Sequence, residues 1–226
     1  MVLAFFDLDK TLLAVNSVSV WMLAEWRQGR LSNWQLFKLI SGLIRYGFGI
    51  TNIEKDIHTG LMRLKGEDNA LVSSQIAQFY QTQIKNLYRP GALTALKEHR
   101  QRGHKLILLT SSLYPLAKLV TDELLLDDCL STKLEVDDHG FYTGKSEGPL
   151  CYGAGKLAIA QDYADQLNIS LGDCFFYSDS ITDLPMLQKV GLPVAVNPDL
   201  RLLRVARSKK WRIVDWGVPL NAKTKT

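Results

Sequence analysis

The chain has 226 residues, 46% hydrophobic and 22% charged, with a formal net charge of +4. This composition excludes a disordered chain and suffices for one large domain, or a domain carrying a substantial insertion, with a real hydrophobic core. Cys129, Cys151 and Cys174 show no C-x-x-C spacing, which argues against a disulfide framework and a zinc site and leads us to expect a reducing, cytoplasmic setting.

The first element is the apolar run Val2 to Phe6, which stops abruptly at Asp7. A short run rich in aromatic and branched residues reads as a strand buried on both faces. Asp9 follows two positions on. Residues i and i+2 of an extended chain face one side, so a cation at the strand end can be shared by the Asp7 side chain and the main-chain carbonyl of Asp9. Thr11 adds a hydroxyl at the same mouth. The two acids also interrupt the run before a secretory signal could form.

From about Val15 to Tyr88 the pattern is helical throughout. Val18, Trp21, Met22 and Trp26 keep i, i+3, i+4 spacing, and Ser32 opens a second helix that Gly47 and Gly49 break. Thr51 or Asn52 opens a third, through Leu64, and Asp68 or Asn69 a fourth, through about Leu87. Seventy residues of helix exceed what one crossover between parallel strands needs, so an inserted helical bundle is expected. Its aromatic residues Trp21, Trp26, Trp34, Phe37 and Phe48 are predicted to be core. The apolar stretch from Trp34 to Ile50 carries Lys38 and Arg45 and is too short to span a membrane.

Arg89-Pro90-Gly91 resets the pattern. A helix from Ala92 to Arg102 ends at Gly103, and a second apolar strand, Lys105 to Leu109, runs into Thr110-Ser111-Ser112 before a helix from Pro115 to Leu125. Hydroxyl and backbone N–H donors near a helix start suit a phosphate group, and they suit simple N-capping as well. Asp137-Asp138-His139-Gly140 lies between two alternating segments, Lys133 to Val136 and Phe141 to Thr143, and reads as a hairpin turn rather than a metal site.

Gly153-Ala154-Gly155-Lys156 opens a helix through Leu167. A lysine is electrostatically disfavoured there, so its placement invites an anion. Cys174 to Tyr177 is a third strand and ends in Ser178-Asp179-Ser180-Ile181-Thr182-Asp183. Pro193 to Val196 is a fourth strand, Leu200 to Ser208 a helix, and Trp211 to Asp215 a last strand. The late cations Arg201, Arg204, Arg207, Lys209, Lys210, Arg212, Lys223 and Lys225 stand against Asp215 alone. They read as a solvated helix face and a frayed tail, with no nucleic-acid partner expected and anionic lipid as the competing reading.

Alternating strands and helices predict an α/β fold with a doubly wound parallel sheet, whose ligands lie outside the carboxyl ends of the strands. There the sequence collects Asp7, Asp9, Thr110, Ser111, Asp179 and Asp183. Acids crowded on one rim repel one another, and oxygen-only donors point to magnesium rather than zinc.

The order D-L-D-K-T, strand-T-S, Lys, S-D-S-x-x-D, with helices inserted after the first motif, closely resembles the haloacid dehalogenase superfamily, in its phosphoserine-phosphatase-like branch. The resemblance covers residues 3 to about 216. It implies a Rossmann-like core from residues 1–14 and 89–226, a helical cap from 15–88, and hinges near Leu13 to Asn16 and Tyr88 to Gly91. It further implies a Mg2+-dependent phosphatase acting on a small phosphomonoester, with Asp7 as nucleophile, Asp9 as acid and base, and Thr110, Ser111 and Lys156 holding the phosphoryl group. Asp7, the Asp9 carbonyl and Asp179 hold the metal, with Asp183 in support. By position Asn16 stands where that branch carries a substrate-reading glutamate, and Arg63 lies near its cap arginine. A phosphotransferase would use the same residues. A non-catalytic phosphate-ligand or membrane-binding module would not need Asp9.

Overall fold

The computed structural model describes residues 1–29, 31–34 and 61–219. Six parallel strands form one sheet in the order β3-β2-β1-β6-β7-β8. They are β1 (Leu3–Phe6), β2 (Lys105–Leu113), β3 (Asp128–Thr132), β6 (Phe175–Ser178), β7 (Leu192–Val196) and β8 (Arg212–Val214). The hairpin β4 (Leu134–Val136) and β5 (Tyr142–Ser146) stands apart from it. Strand alternation then sorts the core into two layers. Leu3, Phe5, Ile107, Leu109 and Phe176 pack on one face, and Ala4, Phe6, Leu106, Leu108 and Tyr177 on the other. β1, at the centre of the sheet, is covered on both sides, which is why its sequence is continuously apolar.

The helices divide accordingly. α2 (Asn69–Phe79), α3 (Pro90–Gln101) and α4 (Tyr114–Glu123) place Ile76, Leu96 and Val120 in the Phe6 layer. α5 (Ala154–Gln166), α6 (Leu184–Lys189) and α7 (Leu200–Ser208) place Ala160, Met186 and Leu202 in the Phe5 layer. This is the predicted doubly wound architecture. Between β1 and α3 the described helices are α1 (Ser17–Arg27), capped by Asn16, and α2, capped by Asp68, whose Oδ1 accepts the N–H groups of Ala70 at 2.7 Å and Leu71 at 3.1 Å. The two connectors of this helical insertion pair as a short antiparallel ribbon. Leu13 bridges Tyr88, the Ala14 N–H donates to the Leu87 carbonyl at 2.8 Å, and the Arg89 N–H donates to the Leu12 carbonyl at 2.8 Å.

Several expectations need correction. β2 does not stop at Leu109 but continues through Thr110-Ser111-Ser112 to Leu113, with a register shift against β3. β3 itself was not foreseen, because the edge sequence DCLST lacks an apolar run. The fourth helix leaves α geometry at Phe79 and continues as a wider turn, Tyr80–Ile84. Trp21 packs edge-to-face on Phe79, but Trp26 and Trp34 are 39% and 63% exposed, so they are surface rather than core. Residues 33–34 and 61–63 are helical, while Phe37, Gly47, Phe48, Gly49, Thr51 and Asn52 lie outside the described residues, as does the tail with Lys223 and Lys225. The Asp137 turn is as predicted, its Oδ1 accepting the N–H groups of His139 and Phe141 and Gly140 having φ 88°. Among the described residues no helix is long and apolar enough to cross a membrane.

His99 of α3 is buried against Phe6, Phe175 and Tyr177, its Nε2 2.7 Å from the Tyr177 hydroxyl and its Nδ1 2.8 Å from His104 Nδ1. Burial, with His104 beside it, pushes its pKa down to about 4. Between that value and the ordinary 6.5 the unfolded chain takes up a proton that the folded chain refuses, so stability falls on acidification across this window. Urea titrations from pH 7 to 4 are expected to show wild type losing about 2 kcal/mol more than His99→Gln. Parallel pH profiles of the two proteins would remove His99 from the account.

Candidate active site

Asp7 extends β1 by one residue, its N–H donating to the Tyr177 carbonyl at 2.9 Å. Phe6 is in register with Leu108 and Tyr177, so Asp7 lies beside Leu109 and Ser178, with Thr110 and Asp179 the next residues along their strands. Strand alternation turns Asp7 toward the layer of Leu3 and Phe5, the side covered by α5. α5 supplies Lys156. Its Nζ lies 2.7 Å from Asp7 Oδ1 and 2.9 Å from Asp183 Oδ2, all three side chains being almost fully buried. The glycines before Lys156 have a steric role: a Cβ on Gly155 would fall 2.0 Å from the Leu150 carbonyl oxygen, so only glycine lets the helix start seat against that loop. The anion invited by the lysine's position is thus supplied first by the protein's own carboxylates.

The chain leaves β1 through a wide turn, Leu8–Leu12, in which Lys10 adopts φ 57°. This turn carries Asp9 over to α1. The backbone N–H of Ser17 donates to Asp9 Oδ1 at 2.8 Å and the Ser17 hydroxyl to Oδ2 at 3.1 Å, so both carboxylate oxygens are held. Thr11 is fully buried and donates to Asp179 Oδ1 at 3.4 Å. The Ser178 hydroxyl donates to Asp183 Oδ2 at 2.6 Å, and Asp199 Oδ2 accepts the Ile181 N–H at 2.8 Å, fixing the loop between Asp179 and Asp183. Ser178 and Asp199 had no assigned role in the sequence. Their only signal was position, one ending a strand and the other preceding a helix.

Thr110 is buried and Ser111 exposed at the neighbouring strand end. Thr110 Oγ1 accepts the Ser112 N–H at 3.1 Å, and the Ser112 hydroxyl is buried with no hydrogen-bond partner among the described residues. Asn16 uses its Oδ1 as the cap of α1, accepting from Ser19 N at 2.9 Å and Ser19 Oγ at 3.0 Å. Arg63 is exposed, and the structure does not bring it into hydrogen bonds or ion pairs with the carboxylates.

Electrostatics follow from this crowding. Burial pushes the Asp7 carboxyl up to about 7, Lys156 pulling against it and Asp183 adding to it. Burial also raises Asp9, opposed by the two Ser17 hydrogen bonds, and holds Asp179 well above the usual carboxylate range, with the Asp7 charge adding. Burial by itself would lower the Lys156 ammonium, but Asp183 and Asp7 outweigh it and keep it above its ordinary value. Asp7, Asp179 and Asp183 are all buried, and the Lys156 ammonium pairs with Asp7 and Asp183. Asp179 accepts only the long Thr11 bond among the described residues. Such an under-compensated, all-oxygen donor set fits a hard divalent cation. Among the described residues no three His, Cys, Asp or Glu side chains are grouped for a metal. The fit is therefore to two side-chain carboxylates and a carbonyl with water completing the shell, as magnesium prefers.

Residues 4–188 match the family model described as haloacid dehalogenase-like hydrolase. A probable phosphatase of Mycobacterium tuberculosis is 30% identical over 223 residues, 96% of this chain and 76% of that protein. A protein of unknown function from Bordetella pertussis Tohama I superposes with a TM-score of 0.83 at 27% identity, covering 95% of this chain and 98% of its own. A phospho-aspartyl intermediate analogue of phosphoserine phosphatase shares the fold, with a TM-score of 0.69 at 22% identity over 99% of this chain and 97% of that one.

Proposed function

Since the chain belongs to the haloacid dehalogenase-like hydrolases and is a phosphoric monoester hydrolase, we propose that it hydrolyses a small phosphomonoester with Mg2+ through an aspartyl-phosphate on Asp7. The observation that carries this reading is the Lys156 ammonium clamped 2.7 Å from Asp7 and 2.9 Å from Asp183 at the carboxyl end of β1, with Asp9 two residues on. In the first step the Asp7 carboxylate attacks phosphorus and the ester C–O–P bond breaks on the phosphorus side. Asp9, carrying a proton, gives it to the departing alcohol oxygen, and then takes a proton from the water that hydrolyses the acyl phosphate. Ser17 holds Asp9 in place for both transfers. Thr110 and the Ser111 backbone bind the phosphoryl oxygens, and Lys156 offsets their charge. Asp7, the Asp9 carbonyl and Asp179 would hold Mg2+, with Asp183 in support; when bound it supplies charge neutralisation and orientation of the phosphoryl group.

We assign residues 1–14 and 89–226 to the core and 15–88 to a cap hinged at the ribbon between Leu13 and Tyr88, a boundary supported by the pairing of the two connectors. Asn16 and Arg63 are the cap residues we assign to substrate recognition. Three free, buried cysteines support a reducing, cytoplasmic setting. The test is phosphate release from a panel of phosphomonoesters, including phosphoserine, histidinol phosphate and a phospholipid head-group phosphate, with Mg2+ or EDTA. Release that requires Mg2+ is expected from at least one ester; release indifferent to EDTA would overturn the metal assignment.

A further inference from the structure

Arg89 has no part in the chemistry above, yet it is one of the few buried cations among the described residues, 7% exposed at the start of α3. Its side chain makes no ion pair among the described residues. Instead it spans two main-chain carbonyls from distant parts of the sequence, Nε donating to Lys10 at 3.0 Å and Nη1 to Gly217 at 2.6 Å. Burial lowers its pKa, with Asp179 and Asp215 opposing; a guanidinium stays charged regardless.

Both partners are informative. Lys10 is the left-handed residue of the turn that carries Asp9, a conformation unfavourable for a side chain with a Cβ. Its two peptide groups are pinned, the N–H on the Val15 carbonyl at 3.0 Å and the C=O on Arg89. The direction of the Asp9 carbonyl and the place of the Thr11 hydroxyl, on either side of Lys10, depend on that pinning. Gly217 belongs to a strap, residues 215–217, tied down on its own account. The Gly91 N–H donates to the Trp216 carbonyl at 3.0 Å, the Trp216 N–H to Asn197 Oδ1 at 3.0 Å, and the Gly217 N–H to Asp215 Oδ1 at 2.8 Å. Trp216 stacks on Tyr177 and presses on α3 so closely that a Cβ on Gly91 would lie 2.5 Å from its ring.

We propose that Arg89 is a positioning residue that ties the Lys10 turn to the 215–217 strap and so fixes the Asp9 carbonyl and Thr11 hydroxyl for the divalent cation. This rests on the reading that Asp9 and Asp179 hold Mg2+. The anchor follows the last strand, and the guanidinium joins it to the turn through one side chain. Lysine does not reproduce the two separate donors, Nε and Nη1, that the rigid planar fork of Arg89 sets toward the two carbonyls.

The test compares wild type, Arg89→Ala, Arg89→Lys and Gly91→Ala, which displaces Trp216 without touching Arg89. Two quantities are read: the upward shift of the unfolding midpoint on adding MgCl2 without substrate, and the Mg2+ concentration for half-maximal phosphate release. Wild type is expected to be stabilised by Mg2+. In all three variants the metal concentration needed should rise about 10–100-fold, with KM for the ester nearly unchanged, and added ethylguanidinium should restore Arg89→Ala but not Arg89→Lys. Variants that unfold at lower temperature yet keep the wild-type Mg2+ response would overturn the proposal and leave Arg89 a structural tie. If Arg89→Ala fails to fold, Arg89→Lys and Gly91→Ala decide. No Mg2+ response in wild type would overturn the metal reading, and this inference with it.

Discussion

Asp7→Asn is expected to abolish turnover while leaving the fold intact. The amide has the size of the carboxylate but no lone-pair charge to attack phosphorus, so kcat should fall by more than about 1,000-fold, set by background hydrolysis rather than residual covalent catalysis. Stability should not fall with it. Asp7 is a buried carboxylate whose pKa is pushed up to about 7, above the ordinary 3.8. Between those values the folded protein holds a proton that the unfolded chain releases, so the metal-free wild type loses stability as pH rises through that window. Asparagine removes that dependence, and Lys156 keeps Asp183 as its partner at 2.9 Å. Thermal melts of metal-free protein should therefore place Asp7→Asn level with wild type near pH 4 and above it near pH 8. A variant that retains a tenth of wild-type kcat would rule out Asp7 as nucleophile.

Lys156→Met is expected to damage both activity and stability. Methionine fills most of the volume, but Asp7 and Asp183 then face each other in the interior without the ammonium that lies between them. Removing one member of a buried charge cluster costs about 3–5 kcal/mol, because the remaining charges stay desolvated. The penalty should be largest above pH 7, where Asp7 is ionised, and should shrink on acidification as Asp7 takes up its proton. Urea denaturation of wild type and variant at pH 5 and pH 7.5 reads this directly. Equal stability at both pH values would mean that Asp7 and Asp183 are hydrated rather than enclosed. Turnover should fall by at least about 100-fold, since a charge that offsets the phosphoryl oxygens is gone.

How much of this was legible in the sequence depends on the range of the interaction. The apolar run from Val2 to Phe6, its halt at Asp7, and the repetition of strand ends at Thr110 and Asp179 were readable because a strand buried on both faces must be continuously apolar and ligand sites lie beyond strand carboxyl ends. The helix start at Asp68 was readable because a cap is a contact within three residues, whereas Asn16, read only as a substrate position, proved to cap α1. β3 was not, since its outward positions are polar and its pairing partner, β2, confers strand geometry on it.

By itself, then, the sequence determined the doubly wound order of strands and helices, the family, and the carboxylates and hydroxyls that reach the rim. Only the tertiary structure decided which charges meet. Lys156 finds Asp7 across 149 residues and Asp183 across 27, Arg89 finds Lys10 and Gly217, and His99 finds Tyr177. Local patterns record burial and backbone preference, which neighbours in the chain largely set. Desolvation and ion pairing depend on what folding brings within about 4 Å in a medium of low dielectric, and no spacing along the chain encodes that distance.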